Sequence, residues 1–378
     1  MSLNTWQFFN PVEILFGVGS LNELNSVSDA KNILIVTTKG FVRRGIIHRI
    51  SNHILADRNI SLFDGVDPNP DLEALQASLP QVGDQPVEQI IAVGGGSVID
   101  AAKIFSVLLA PQNYDFSLRN YLQEDYSKRH LSTLPIIAVP TTAGTGSEVT
   151  SFATVWDKLS KRKYSLSAKS LYPKIAIIDP SLTLSLPKKM SILTGLDALS
   201  HSFESLWNKN ANPITKSYSL QALQILLANF SELVTDLNNL QIRSNMMQGS
   251  LLAGLAISQT RTAIAHSISY PLTIHYNVPH GLACGFILPK LLTFNSKADD
   301  GRLAQAASTL GYRSVEDLVT SLIQLFRKLE VKKLINQYLH SKKDILNLTS
   351  EMISPGRADN NLRHVDVQTL DEFFSKII

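Results

Sequence analysis

The stretch Gln89-Ile90-Ile91-Ala92-Val93-Gly94-Gly95-Gly96-Ser97-Val98-Ile99-Asp100 decides the fold. Gln89–Val93 reads as a strand, being short, apolar and closed by glycine. It runs straight into the glycine triplet, Ser97 and a helical segment, Val98–Leu109. The apolar run does not alternate with polar residues, which marks a strand buried on both faces of a parallel sheet. Glycines after such a strand let a phosphate approach the backbone N–H groups at a helix N-terminus, because no Cβ blocks the way. The motif is not G-x-G-x-x-G, and a plain βα turn suits it too. Asp100 falls in the first helical turn, where it serves either to complement the helix dipole or to contact a bound cofactor.

Outward from this unit, the first half alternates strand-like and helix-like segments. Upstream, Asn32–Thr38 reads as a strand ending at Lys39-Gly40. It is followed by a helix over about Gly45–Asn59, a strand at Ile60–Asp64, the turn G-V-D-P-N-P and a helix over Asp71–Leu79. Downstream, Leu134–Val139 ends at Pro140, and Lys174–Pro180 is the last strand. Strands alternating with helices predict a doubly wound parallel sheet. After about Pro187 the pattern changes. Thr194–Asn208, Pro213–Leu240, Ile242–Ile257 and Val315–Leu329 carry helical spacing without convincing strands, and Thr369–Ile377 ends the chain as a helix. The expected division is an α/β domain over residues 1–185 and an all-helical domain over residues 186–378.

Composition excludes several function classes. The 378 residues are 44% apolar and 18% charged, as in an ordinary globular protein. A net charge of +3 without a long basic run argues against nucleic acid, and Lys158–Lys163 reads as a solvated turn. No apolar run reaches the roughly 18 residues of a membrane helix. The single cysteine, Cys284, rules out an intrachain disulfide framework and fits a reducing compartment. The opening M-S-L-N-T-W-Q-F-F-N-P lacks the features of a signal peptide, so the expectation is a cytoplasmic protein.

Two further motifs carry chemistry. V-P-T-T-A-G-T-G-S-E-V-T, residues 139–150, follows a buried strand and offers hydroxyls and open backbone where parallel sheets bind ligands. It also suits a turn with Ser/Thr caps. T-G-L-D-A-L-S-H places Asp197 and His201 four residues apart, on one face if helical. His266 and His280 follow, and one carboxylate with three imidazoles is a credible set of donors for Fe(II) or Zn(II). The competing readings are a capping pair, with Thr194 as N-cap and Asp197 reciprocating, and ordinary core histidines.

G-G-G-S-x-x-D, P-T-T-A-G-T-G-S-E, G-x-D-A-L-x-H, A-H-x-x-x-x-P and N-x-P-H-G occur here in that order. Together they resemble the iron-containing alcohol dehydrogenase superfamily, over nearly the whole chain. The resemblance implies a Rossmann-like α/β domain, an all-α C-terminal domain, a dehydroquinate synthase-like fold, and an active site in the cleft between domains. It implies Asp197, His201, His266 and His280 as ligands of Fe(II), with Zn(II) as the alternative. It implies that Gly95, Gly96, Ser97, Asp100, Thr141, Thr142 and Thr145 hold NAD or NADP, with Asn69, Lys163, Leu182 and Leu186 nearby. The implied partners are a small aldehyde or alcohol, with no nucleic acid or membrane, and a second copy of the chain in a homodimer.

Three departures from the family pattern bear on substrate and cofactor. Many members carry a second His one helical turn after the position of His266, and here that residue is Tyr270. A phenol with an ordinary pKa of about 10 is a weak base at neutral pH, although it can relay a proton through water. At Thr38 NAD-preferring relatives often place a carboxylate, which binds ribose hydroxyls and repels a 2′-phosphate. Lys39, Arg43 and Arg44 lie close in sequence, so NADP use is open. Finally, Arg261 in S-Q-T-R-T-A-I-A-H is an unusual cation for a cleft helix. It suits a surface position with its stem on apolar neighbours, an interhelical salt bridge, or bidentate recognition of an anionic substrate, with His275, Lys209 and Asn210 as helpers. The segment resembles a branch associated with phosphonate metabolism. The expected reaction is reduction of a small aldehyde, for example phosphonoacetaldehyde to 2-hydroxyethylphosphonate. A general short-chain alcohol or diol dehydrogenase is the first alternative, and a sugar-phosphate cyclase on the same fold the second.

Overall fold

The computed structural model of the chain describes residues 5–51, 58–82, 86–113, 117–123 and 131–375. It divides into two compact units. One comprises Asn10–Thr142 and Ser147–Ser185; the other runs from Leu186 onward and includes Ala143–Gly146 and the segment up to Phe9.

Among its described residues the first unit holds eight strands: β1 (Glu13–Phe16), β2 (Asn32–Val36), β3 (Asn59–Phe63), β4 (Gln89–Gly94), β5 (Ile136–Pro140), β6 (Phe152–Asp157), β7 (Arg162–Ser167) and β8 (Ile175–Ile178). Six form one parallel sheet in the order β1-β8-β5-β4-β2-β3. In the four inner strands, β8, β5, β4 and β2, both faces are buried, which is why they read as unbroken apolar runs. On β2, Leu34 and Val36 join the core on one face with Ile90 and Ala92 of β4. Ile33 and Ile35 join the opposite core with Ile91 and Val93.

From β2 the chain steps outward to β3, then returns to the far side of β2 for β4 and continues to β5 and β8. The direction therefore reverses between β2 and β4. Ligands bind at the carboxyl ends of strands flanking such a reversal. Here those ends are Thr37-Thr38 and the glycine triplet. Thr37 Oγ1 bridges them by donating to Val93 O over 2.8 Å. Helix α1 (Gly96–Leu108) starts directly after β4, with Gly95 at its N-cap.

Some local expectations are corrected. Of the region predicted as one helix over about Gly45–Asn59, Ile46–Ser51 is helical, residues 52–57 lie outside the described residues, and Asn59 begins β3, while a further short helix, Lys39–Arg43, precedes it. The antiparallel hairpin β6–β7 was not expected, and Lys158–Lys163 spans its tip. The β7 sequence R-K-Y-S-L-S is mostly polar and only Leu166 is buried, so its apolar signal is weak. The helix expected over Pro213–Leu240 ends at Leu233, and a new one begins at Leu240. The last helix is Val367–Ser375, and residues 376–378 lie outside the described residues.

A charged network is buried inside this unit. Lys103, on α1, is 0% exposed. Its Nζ lies 2.7 Å from Ser147 O, 2.9 Å from Thr150 O and 2.9 Å from Phe152 O. An ammonium group has three N–H donors, so these carbonyls satisfy it. One turn earlier, Asp100 accepts from Ser147 Oγ at 2.5 Å and from Thr154 N at 2.8 Å. Together they pin the segment before β6 to α1. Replacing Lys103 by Met leaves three carbonyls and a carboxylate without their cation. The expected cost is about 3–5 kcal/mol in urea denaturation, and an unchanged midpoint would contradict this assignment.

Glu148 belongs to the same buried region, and burial pushes its carboxyl up from 4.5 to about 7 against the pull of Lys103. A carboxyl raised in the folded state stabilises the fold below its unfolded value, and that contribution is lost as pH rises through the folded value. Stability should therefore decline between about 4.5 and about 7. Glu148→Gln, uncharged throughout, is expected to flatten that decline in a Tm-against-pH series. An identical slope in both proteins would exclude Glu148 as its source.

Candidate metal centre and nucleotide loop

The second unit is helical, with no strand among its described residues. Helices α2 (Lys188–Leu206), α3 (Pro213–Leu233) and α4 (Leu240–Thr260) pack against one another. Asn212 caps α3 in a reciprocal box with Thr215, and Pro213 stands in its first turn. Helices α5 (Ile264–Tyr276) and α6 (His280–Gly285) follow, and both pack on α2.

Thr194 does not cap a helix. It lies inside α2, and its Oγ1 donates to Met190 O at 3.0 Å. Asp197 is therefore released from the expected capping role and faces the interior, only 3% exposed.

The structure brings together the four residues expected to bind a metal. Asp197 Oδ1 lies 3.7 Å from His201 Nε2, 3.6 Å from His266 Nε2 and 3.9 Å from His280 Nε2. The rings of His201 and His266 stack with centroids 4.8 Å apart. Asp197 Oδ1 and His266 Nε2 are buried without a hydrogen-bond partner. Leaving such atoms unpaired costs about 1–3 kcal/mol each, and a cation between them removes that cost. Burial pushes the Asp197 carboxyl up, but His201, His280 and His266 hold it well below the usual carboxylate range. The donor set and the two orphaned atoms fit a divalent first-row ion.

Neighbouring groups set the histidine tautomers. His201 Nδ1 lies 3.1 Å from Gly144 O, an acceptor, which keeps the proton on Nδ1 and leaves Nε2 free. His266 Nδ1 donates to Glu204 Oε2. Glu204 Oε1 also accepts from Ala263 N at 3.0 Å and His266 N at 3.1 Å. Histidine ligands to metals usually carry such a carboxylate or carbonyl partner on the far nitrogen. Glu204 was missed in the sequence reading. Its signal was there: Asp197, His201 and Glu204 stand at i, i+4 and i+7, one face of a helix.

The loop Ala143–Gly146 supplies that carbonyl. A Cβ on Gly144 would stand 2.8 Å from Thr194 Cβ, and one on Gly146 2.4 Å from Gly254 Cα. Gly146 also has φ +62. These two glycines are needed for close packing on α2 and α4, rather than for open backbone facing a ligand as the motif suggested.

Arg261 is not on a helix. It is the C-cap of α4, with φ 63 and ψ −179, a region otherwise nearly confined to glycine. Such backbone costs on the order of 1–3 kcal/mol and persists only where neighbours over-determine it. Here Arg261 O accepts from Thr260 Oγ1 at 2.8 Å and Asn208 Nδ2 at 3.3 Å. Thr262 O accepts from Asn360 Nδ2 at 3.0 Å, and Ala263 N is held by Glu204. The suggested helpers are engaged elsewhere: His275 pairs with Glu351 at 2.8 Å, and Lys209 Nζ donates to Asp359 O at 2.9 Å. Tyr270 lies on α5 one turn after His266 and is partly exposed.

The residues expected to hold a nucleotide fall in both units. In the first, Gly95, Gly96 and Ser97 open α1, and Asn69, with φ 58, donates its backbone N–H to Ser97 Oγ at 3.4 Å. A Cβ on Gly95 would stand 3.1 Å from Thr142 Oγ1, so the glycine keeps the space before the helix open. Thr141 N donates to Gly94 O at 3.1 Å, and Thr141 Oγ1 is buried without a partner. The open N-terminus and the orphaned hydroxyl fit a phosphate-bearing ligand. Thr38 is partly exposed at the end of β2. Both oxygens of Asp100 already accept protein hydrogen bonds, so its visible work is structural. Lys163 lies on β7 with Nζ 5.6 Å from the Trp156 ring centroid, and Leu182 is buried in the turn after β8. Thr145 and Leu186 belong to the helical unit, where Leu186 O accepts from Arg243 Nη2 at 3.0 Å.

Comparison with known proteins gives the family. Residues 11–180 match the family description iron-containing alcohol dehydrogenase, and residues 191–378 match Fe-containing alcohol dehydrogenase family, C-terminal. The chain is 29% identical to an NADPH-dependent butanol dehydrogenase of Clostridium saccharobutylicum, over 86% of this chain and 84% of that one. It is 28% identical to a 1,3-propanediol dehydrogenase of Citrobacter freundii, covering 99% of each. Its fold matches the crystal structure of a sulfoacetaldehyde reductase from Bifidobacterium kashiwanohense in complex with NAD+, with TM-score 0.88, 29% identity and 98% of both chains covered.

Glu204→Gln keeps the shape but weakens the acceptor at His266 Nδ1–H. Metal affinity, read by chelator competition, is expected to fall roughly 10- to 100-fold. Unchanged affinity would show that Glu204 does not orient the ligand.

Proposed function

Because the chain belongs to the iron-containing alcohol dehydrogenase family, we propose that it reduces a small anionic aldehyde to the primary alcohol, using NADH or NADPH and one divalent ion. The observation that carries this reading is the Asp197 carboxylate facing three imidazole nitrogens, two of the facing atoms being buried and unpaired. Asp197, His201, His266 and His280 hold the ion in this reading, Fe(II) first and Zn(II) second. When bound, the ion supplies Lewis acidity at the substrate oxygen.

The protein's own groups do the rest. Glu204 and Gly144 O keep the Nε2 lone pairs of His266 and His201 directed at the ion. The carbonyl carbon takes the hydride and the oxygen takes a proton. Tyr270 Oη is the proposed donor of that proton, and its partial exposure lets solvent restore it. Gly95, Gly96, Ser97, Asn69 and the Thr141 and Thr142 hydroxyls cradle the nucleotide. Thr38, at the strand reversal, carries no charge to repel a 2′-phosphate, so both nicotinamide cofactors fit.

The anionic substrate rests on Arg261. A strained backbone that glycine would relieve is occupied by arginine, which points to a use for the guanidinium. That group binds phosphonate or sulfonate oxygens bidentately. Sulfoacetaldehyde, named for one similar enzyme, and phosphonoacetaldehyde share this design of a two-carbon aldehyde with a tetrahedral anion. A homodimer belongs to the same reading: β1 ends the sheet, and Phe16 and Val18 beside it are 38% and 58% exposed.

Metal-reconstituted enzyme should be assayed with phosphonoacetaldehyde, sulfoacetaldehyde and propanal, each with NADH and NADPH. An anionic aldehyde is expected to give the highest kcat/KM. Arg261→Ala should lower it roughly 10- to 100-fold, the worth of a hydrogen bond to a charged group, while sparing propanal. Preference for propanal, or an equal loss on both substrates, would overturn the anionic assignment in favour of a general short-chain alcohol dehydrogenase.

A further inference from the structure

Cys284 is the only cysteine of the chain, and it is fully buried. It lies on α6, four residues after His280, so the two side chains share one helix face. Its Sγ stands 3.7 Å from His280 Nε2. One donor atom each from Asp197, His266, His280 and Cys284 all lie within 4.8 Å of one another. A buried cysteine is by itself ordinary core material. This one faces two buried polar atoms that have no partner, Asp197 Oδ1 and His266 Nε2.

We propose that Cys284 Sγ is a fifth donor to the ion held by Asp197, His201, His266 and His280. This rests on the metal-centre reading above, and extends it. Bonds of about 2.0–2.3 Å to one ion place adjacent donors about 2.8–3.3 Å apart at octahedral angles and about 3.3–3.8 Å apart at tetrahedral ones. The distances of 3.6, 3.7 and 3.9 Å around Asp197 and the 3.7 Å from Sγ to His280 sit at or near the tetrahedral range. Five protein donors and one substrate oxygen make an octahedral set, so these donors must draw in by about half an ångström as the ion binds. A thiolate also brings a second negative charge and a soft donor. It therefore tilts the site toward Zn(II) and Co(II) and away from hard ions such as Mn(II).

Because the chain has one cysteine, any thiolate signature belongs to Cys284. Full-length apoprotein loaded anaerobically with Co(II) should show a near-ultraviolet thiolate-to-cobalt charge-transfer band beside the visible d–d bands. The band should vanish in Cys284→Ser and Cys284→Ala while the d–d bands persist. Zn(II) affinity of Cys284→Ser should fall roughly tenfold or more, with Mn(II) affinity little changed. Stoichiometric Co(II) with d–d bands but no charge-transfer band in the wild type overturns the proposal and leaves the four-donor centre standing. Failure to bind Co(II) at all overturns both. The wild-type spectrum decides even if neither variant folds.

Discussion

The Glu204 carboxylate is the constraint on which the centre depends. It is fully buried on α2 and accepts from the Ala263 and His266 backbone and from the His266 ring. Buried carboxylates are costly unless such donors surround them. By accepting all three, Glu204 fastens the start of α5 to α2 and turns His266 Nε2 toward Asp197. The same attachment closes one side of the strained Arg261–Ala263 segment. His266 and the end of the strained segment are thus held by one group.

A second, independent device orders the first unit. The reversal between β2 and β4 opens the carboxyl edge of the sheet, and the glycine triplet opens α1 there. Lys103 and Asp100 then bind the segment from Ser147 to Thr154 onto α1. Asp100, which reads as ligand-binding from its motif, spends its hydrogen bonds inside the protein.

The sequence made much of this legible for physical reasons. Strands buried on both faces must be apolar at every position, so β2, β4, β5 and β8 announce themselves. The i,i+4 spacing of Asp197 and His201 survives in α2. The hairpin β6–β7 was hidden because its second strand is mostly polar and partly exposed. Glu204 was visible by spacing but resembled any other helical glutamate until its three donors were seen. The glycines of residues 139–150 looked like open backbone, whereas Gly144 and Gly146 are fixed by what they touch across the chain. The backbone angle of Arg261 has no signature in sequence, since arginine avoids that region and only tertiary contacts hold it there.

The proposed centre is one ion held by Asp197, His201, His266 and His280. Its most direct test is metal content after anaerobic reconstitution with Fe(II) and removal of free metal. Wild-type protein is predicted to retain one ion per chain, and a folded His266→Ala variant to retain little or none. A variant that kept a full complement of iron, or a wild type that kept none, would contradict it.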